Sequence, residues 1–230
     1  MFSFTGDAVD LAALGRVCRA AGVTFVVNGS QAVGARPLDL AALPVDALVG
    51  CGFKWLCGPY ATGFAWLHPD LLASLVRRPA YWLAHLSPDD LATGGDVGLR
   101  GDLGAAAYDV FGTANFLSFQ PWTAAVEYLL ELGIERVAAW DQALVERFLE
   151  GLDTDRHRLV SPRQGPRRST LVVFGHQRPE RARDLHRRLA GAGVDVAFRR
   201  GNLRVSPHLY NTEADLDRAL EVLAAADAGP

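Results

Sequence analysis

The sequence predicts an α/β fold in which a mainly parallel sheet covered by helices is followed by a small α+β unit. Three observations carry this expectation. Short apolar runs alternate with stretches of helical periodicity along the first part of the chain. Those runs hold few polar residues, as strands buried on both faces do. Composition then shifts at Arg156 to Arg168, an arginine-rich stretch containing prolines that reads as a boundary between domains, and strands and helices resume beyond it.

The elements follow in order. Leu11, Leu14, Val17, Cys18 and Ala21 keep helical spacing, and Gly22 supplies a C-terminal stop. Val23 to Val27 is apolar but for one threonine and predicts a strand. Val45 to Val49 and Gly63 to Leu67 predict two more, each bounded by turn residues. The stretch from Val76 to Gly104 is rich in loop residues and longer than an ordinary connection, as loops that cover sites often are. A long helix is expected after Asn115, its apolar face running to Gly133, and a second from Glu135 to Glu150. Strand Thr170 to Phe174, helix Pro179 to Ala192, strands Val194 to Phe198 and Leu203 to Ser206, and a last helix capped by Thr212 complete the chain.

Composition narrows the function classes. Of the 230 residues 50% are apolar and 21% charged, which is globular composition, and the net charge of −3 offers no field to hold nucleic acid or an anionic membrane. Thirteen of the 22 arginines cluster between Arg156 and Arg204, but acidic residues interleave with them and aromatic residues do not, so they read as a solvated face. No apolar run is long enough to span a bilayer. Cys18, Cys51 and Cys57 form an odd set without metal-ligand spacing, and the first residues lack a basic segment ahead of an apolar core, so a reduced, cytoplasmic chain is expected.

The chain uses 22 arginines but one lysine, Lys54. A guanidinium stays protonated, whereas burial and neighbours can tune an amine into a nucleophile. Lys54 stands among glycines in Cys51-Gly52-Phe53-Lys54-Trp55-Leu56-Cys57-Gly58-Pro59-Tyr60, after a predicted buried strand. Strand ends of this kind face the crevice where α/β proteins bind ligands. With Phe53, Trp55 and Tyr60 around it, the amine is expected to be partly desolvated and a good Schiff-base former.

Four ordered motifs then resemble the class V aminotransferase-like family of fold-type I pyridoxal phosphate (PLP) enzymes, which includes cysteine desulfurases, kynureninases and isopenicillin-epimerase-like proteins. They are VNGSQAVGARPLDL, CGFKWLCGPYATGF, FGTAN at Phe111 to Asn115, and LRVSPHLYNTEADLD at Leu203 to Asp217. The resemblance implies a partial PLP-binding large domain over residues 1–134 and a small α+β domain over 135–230. It implies that Lys54 forms the Schiff base with PLP and later moves the α-proton of a small amino-acid substrate, in transamination, lyase or epimerase chemistry. Gln31 resembles the residue bonded to the phenolic oxygen of the cofactor ring, and Thr113 the hydroxyl that reaches the phosphate of the neighbouring subunit in a homodimer. Arg204 resembles the arginine that grips the substrate carboxylate. His208, in the same motif, is expected to be structural.

The sequence departs from the family in three ways. Asn28 stands where an aspartate usually pairs with the pyridine nitrogen, so charge stabilisation of a pyridinium is lost. Cys51 and Phe53 replace residues that in many relatives contact the phosphate or the ring. The chain opens at Phe2-Ser3-Phe4-Thr5-Gly6, which resembles a mid-domain strand, so an upstream-encoded N-terminal partner is one expectation. All three cysteines lie at or before position 57, which disfavours the downstream nucleophilic cysteine of desulfurases. Cys18 and Cys57 read as packing residues. The alternative is a truncated, non-catalytic homologue serving as an interaction or dimerisation module.

Overall fold

The computed structural model describes residues 1–76, 85–94, 98, 100–109 and 115–228. The chain divides into two compact units, one comprising Met1–Asp10, Gln31–Leu38 and Glu127–Pro230, the other Leu11–Ser30 and Asp39–Val126.

In the second of these, helix α1 (Leu11–Ala20) is followed by strands β1 (Val26–Asn28), β2 (Ala47–Cys51) and β3 (Gly63–Leu67), which form a sheet in that order. β1 runs parallel to β2, Val26 facing Ala47 and Asn28 facing Val49. β3 runs antiparallel to β2, so this sheet is mixed where a mainly parallel one was expected. The strands also begin later than the apolar runs. Val23 donates its N–H to the Cys18 carbonyl at 2.9 Å, closing α1, and Val45 donates to Leu43 at 2.8 Å, closing a turn. Neither amide is free for a ladder. Between them, the Asp46 carboxylate accepts the Phe25 N–H at 2.6 Å and ties the starts of β1 and β2 together. Helices α2 (Pro69–Ser74) and α3 (Pro88–Thr93) are short, and α4 runs over Phe116–Leu132.

The other unit holds α5 (Ile134–Gly151), β4 (His157–Leu159), β5 (Val172–His176), α6 (Ala182–Gly191), β6 (Ala197–Arg199), β7 (Asn202–Val205) and α7 (Glu213–Ala228). Its four strands pair antiparallel in the order β4-β5-β7-β6. Val137, Asp141, Leu144, Val145, Phe148 and Leu149 recur every three or four residues of α5 and are buried. Phe148 meets Phe174 of β5 with ring centroids 5.5 Å apart, and Leu185, Leu203, Leu216 and Leu223 complete the core they begin. The arginine-rich stretch 156–168 lies inside this unit: it carries β4, and Arg168 pairs with Glu146 of α5.

Residues 2–6 form a turn and not the strand that their sequence resembles. Gly6 donates to the Phe2 carbonyl and Phe2 to that of Asp7, both at 2.8 Å. Gly6 sits at φ 72°, and a Cβ there would meet the Leu171 carbonyl at 2.5 Å and the Ser161 hydroxyl at 2.6 Å. Only glycine satisfies both conditions.

Asp227 of α7 is buried between two histidines, with His157 Nε2 at 3.4 Å and His176 Nε2 at 3.3 Å. Burial lowers the His157 pKa against the opposing pull of the Asp227 carboxylate. The folded chain therefore takes up a proton here less readily than the unfolded chain. This contribution to stability is full above histidine's ordinary value of about 6.5 and is lost as pH falls through it towards the lowered folded value. Thermal melts should fall by about 2–4 °C between pH about 7.5 and about 5.5, and His157→Gln should flatten that dependence.

Candidate active site

The C-terminal ends of the parallel pair β1 and β2 carry the first group of candidate residues. Asn28 closes β1, and its Oδ1 accepts the Ser30 N–H at 3.1 Å, which turns the chain away from the strand. Cys51, half-buried, closes β2 opposite Gly63. Lys54 follows three residues later, so amide, thiol and amine all belong to the strand-end region where ligands bind in α/β folds.

The loop carrying Lys54 is tightly built. Gly52 donates to the Thr62 carbonyl at 2.9 Å, Gly58 to the Gly52 carbonyl at 2.8 Å, and Cys57 to the Lys54 carbonyl at 3.0 Å. Thr62 Oγ1 donates to the Pro59 carbonyl at 2.6 Å. Cys57 and Ala61 adopt φ of 52° and 62°, a left-handed conformation that residues with a Cβ seldom take. Trp55 and Leu56 are buried beneath the loop, whereas Lys54 itself is exposed. The expected aromatic enclosure of the amine is not found within this unit. Phe53 and Tyr60 stack on each other at 4.8 Å and are themselves exposed, with Lys54 Nζ 5.8 Å from the Phe53 ring centre. Among the described residues, no carboxylate pairs with Lys54.

Gln31 and Arg204 belong to the other unit. Leu203 and Val205 point into the core, so the alternation of β7 puts Arg204 on the opposite face, where it is half-buried. Its Nη1 donates to both the hydroxyl and the main-chain carbonyl of Ser3, the latter at 3.2 Å. Gln31 Nε2 reaches the same hydroxyl at 3.5 Å. Burial, with the Arg199 charge nearby, lowers the Arg204 pKa below the usual guanidinium value. Nε is buried without a hydrogen-bond acceptor, and no carboxylate among the described residues pairs with this side chain. A half-buried guanidinium in that condition is a ready receptor for an external carboxylate.

Gln31 and Arg204 are thus brought together around Ser3, a residue the motifs did not single out. Asn28, Cys51 and Lys54 gather in the other unit. Thr113 lies outside the described residues. His208 is buried and donates from Nδ1 to Asp141 Oδ2 at 2.9 Å, while burial raises the Asp141 pKa against that bond. No group of three His, Cys, Asp or Glu among the described residues is arranged to hold a metal, and no helix among them is long and apolar enough to cross a membrane.

One unit thus presents an exposed lysine beyond a strand end of a mixed sheet, and the other a half-buried arginine with no carboxylate partner among the described residues. Residues 2–219 match the family model described as Aminotransferase class-V, and the chain belongs to that family. It is 29% identical over 241 residues to an isopenicillin N epimerase of Streptomyces clavuligerus, covering 97% of this chain and 58% of that protein. It is 28% identical over 237 residues to a kynureninase of Xanthomonas euvesicatoria, covering 96% and 53%. The solved structure of the cystine C-S lyase C-DES with its product cysteine persulfide superposes with a TM-score of 0.84 at 23% identity, covering 99% of this chain and 59% of that one. Another C-DES structure carries glycine covalently linked to its PLP cofactor. The chain therefore spans a little over half the length of the proteins it matches.

The glycines of the lysine loop are there for packing. A Cβ on Gly52 would lie 2.2 Å from Thr62 Oγ1 and 2.7 Å from the Trp122 ring, and one on Gly58 would lie 2.4 Å from Trp122. Gly52→Ala should lower stability by about 1–3 kcal/mol, read as a shift in the urea midpoint of unfolding.

Proposed function

We propose that this chain is part of a PLP-dependent enzyme of the class V aminotransferase type, acting on a small amino acid with Lys54 as the residue that binds the cofactor. One observation carries the reading: the only lysine of the chain stands exposed, without a carboxylate partner among the described residues, on a hydrogen-bonded loop beyond the C-terminal end of β2. The donor set also fits the cofactor. A primary amine condenses with an aldehyde, and the amides of Asn28 and Gln31 offer neutral hydrogen bonds to ring atoms. Cys51 and Thr113 complete the cofactor contacts in this reading.

When bound, PLP supplies an electron sink for the electrons left at the substrate's α-carbon. The chain's own residues do the rest. Arg204 holds the substrate carboxylate through its planar fork and so fixes which bond at the α-carbon stands ready to break. Lys54 Nζ would hold the cofactor and, as the base, would take up the α-proton and return it. Gln31 donates its amide N–H to the ring oxygen. Asn28, having no charge, leaves the ring nitrogen without the counter-ion that an aspartate would provide, which weakens the electron sink.

In this reading the enzyme is a homodimer and acts in the cytoplasm, the compartment with which three free cysteines are consistent. A further polypeptide segment, encoded upstream, completes the sheet. Its place is the outer edge of β1, which has no strand beside it among the described residues and where Val26 is 57% and the neighbouring Val17 of α1 66% exposed.

Incubating the chain with PLP, reducing with borohydride and mapping peptides by mass spectrometry should find a pyridoxyl group on Lys54 and none at that site in Lys54→Ala. Absence of the adduct from a folded chain would favour a non-catalytic dimerisation module. Asn28→Asp should move the visible absorption band of the bound cofactor and its pH dependence; an unchanged spectrum would remove Asn28 from the ring nitrogen.

A further inference from the structure

The turn at residues 2–7 is bound to the rest of its unit far more firmly than a short loop needs to be. Ser169 Oγ donates to the Gly6 carbonyl at 2.6 Å, Ala8 donates its N–H to the Arg167 carbonyl at 2.7 Å, and Asp7 pairs with Arg167. The Arg200 guanidinium lies over the Phe4 ring at 4.3 Å from its centre. Ser3 sits inside this frame, so its hydroxyl has a fixed position before any ligand arrives.

A serine hydroxyl accepts two hydrogen bonds and donates one. Arg204 Nη1 fills one acceptor site of Ser3 Oγ, and Gln31 Nε2 approaches the other. The main-chain carbonyl of Ser3 takes a second contact from the same Nη1. Arg204 is therefore held by one corner of its fork, with Nη1 committed. A planar guanidinium gripped at Nη1 cannot swing about its long axis, and the remaining donors keep a set direction. An arginine side chain that must be ordered on binding loses about 0.5–1.5 kcal/mol of affinity, and a preordered one avoids that loss.

We propose that Ser3 is the positioning residue of the carboxylate site: its hydroxyl and carbonyl fix the Arg204 fork for a ligand carboxylate and link that fork to the Gln31 amide. The proposal rests on the reading of Arg204 as the substrate-carboxylate receptor, but not on cofactor binding. Ser3 acts through Arg204, and the hydroxyl matters more than the size of the side chain.

The test uses the full chain and acetate as the probe, with binding followed by titration calorimetry or by NMR line broadening. The wild-type chain should bind acetate, and Arg204→Ala should abolish the binding. Ser3→Ala should weaken it by about tenfold, the scale of one hydrogen bond to a charged group. Ser3→Thr, which keeps the hydroxyl, should bind within about twofold of wild type, a rescue that mere packing would not produce. Both Ser3 variants should still unfold cooperatively on heating, so that lost affinity reports on the fork and not on unfolding. If Ser3→Ala is too unstable to assay, Ser3→Cys gives the same comparison, because a thiol is a poor acceptor. Acetate affinity equal to wild type in the variant lacking the hydroxyl overturns the proposal, as does a wild-type chain that binds no acetate. A missing Lys54 adduct alongside intact, Ser3-dependent acetate binding would instead defeat the cofactor reading and leave this one standing.

Discussion

The parallel pairing of β1 with β2 is the constraint on which the placement of the Lys54 loop depends. A parallel pair puts both C-terminal ends on the same side, so Asn28 and the loop after Cys51 must emerge together. The pair is short, and beside its main-chain bonds the Asp46 carboxylate accepts the Phe25 N–H just before the ladder starts, which helps to fix the register. A slip by one residue would exchange the two faces of the strands and so disturb the packing of both Ala47 and Leu48, which are buried on opposite faces. The loop beyond then needs its own rigidity, because β3 turns back antiparallel at once. Packing of Gly52 and Gly58 against Trp122, with three main-chain bonds inside the loop, supplies it.

The placement of Arg204, in the other unit, follows a different principle. Arg204 belongs to a regular strand, and strand alternation alone puts it on the face opposite the Phe148 and Phe174 core. That face would leave a guanidinium half-buried and poorly solvated, which its lowered pKa expresses. Ser3 offsets part of this cost without adding negative charge. A carboxylate in its place would neutralise the arginine and remove its attraction for an external anion, whereas a hydroxyl and a carbonyl hold it and leave the charge to be satisfied. Uncharged acceptors are what a receptor for a carboxylate requires.

Much of this was legible in the sequence, for identifiable reasons. Lys54 stood out because arginine replaces lysine everywhere else, and Gly63 to Leu67 was bounded correctly because glycine and an apolar run coincide there. The division at 134/135 is contiguous, whereas the compact units interleave, since residues 1–10 and 31–38 cluster with 127–230. Contacts of that range leave no local pattern. Ser3 and Arg204 meet across 201 residues of chain, and His157 and Asp227 across 70, so neither pair could be read from spacing. Strand starts were displaced where an amide had already closed a helix or a turn, as at Val23 and Val45. Periodicity reports which side chains are apolar, not which amides are spent. The desolvation expected of Lys54 failed for a related reason, since Phe53 and Tyr60 satisfy each other and Trp55 enters the core.

The exposure of Lys54 and the openness of the β1 edge belong to one physical argument. A short parallel strand with valines on an unpaired edge is poorly stabilised by itself, because α/β sheets draw their strength from cover on both faces and from neighbours on both sides. Val17, Val23 and Val26 are each more than half exposed on this side of the chain. An amine becomes a tuned nucleophile only when its surroundings are dry. Within its own unit the Lys54 loop is shaped but not enclosed; in the proposed reading the groups that exclude water from it come from polypeptide beyond that unit. The relatives, nearly twice as long, have room for such a cover. In the proposed reading a rigid loop holds the amine in place, and its reactivity waits on the enclosure that other segments bring.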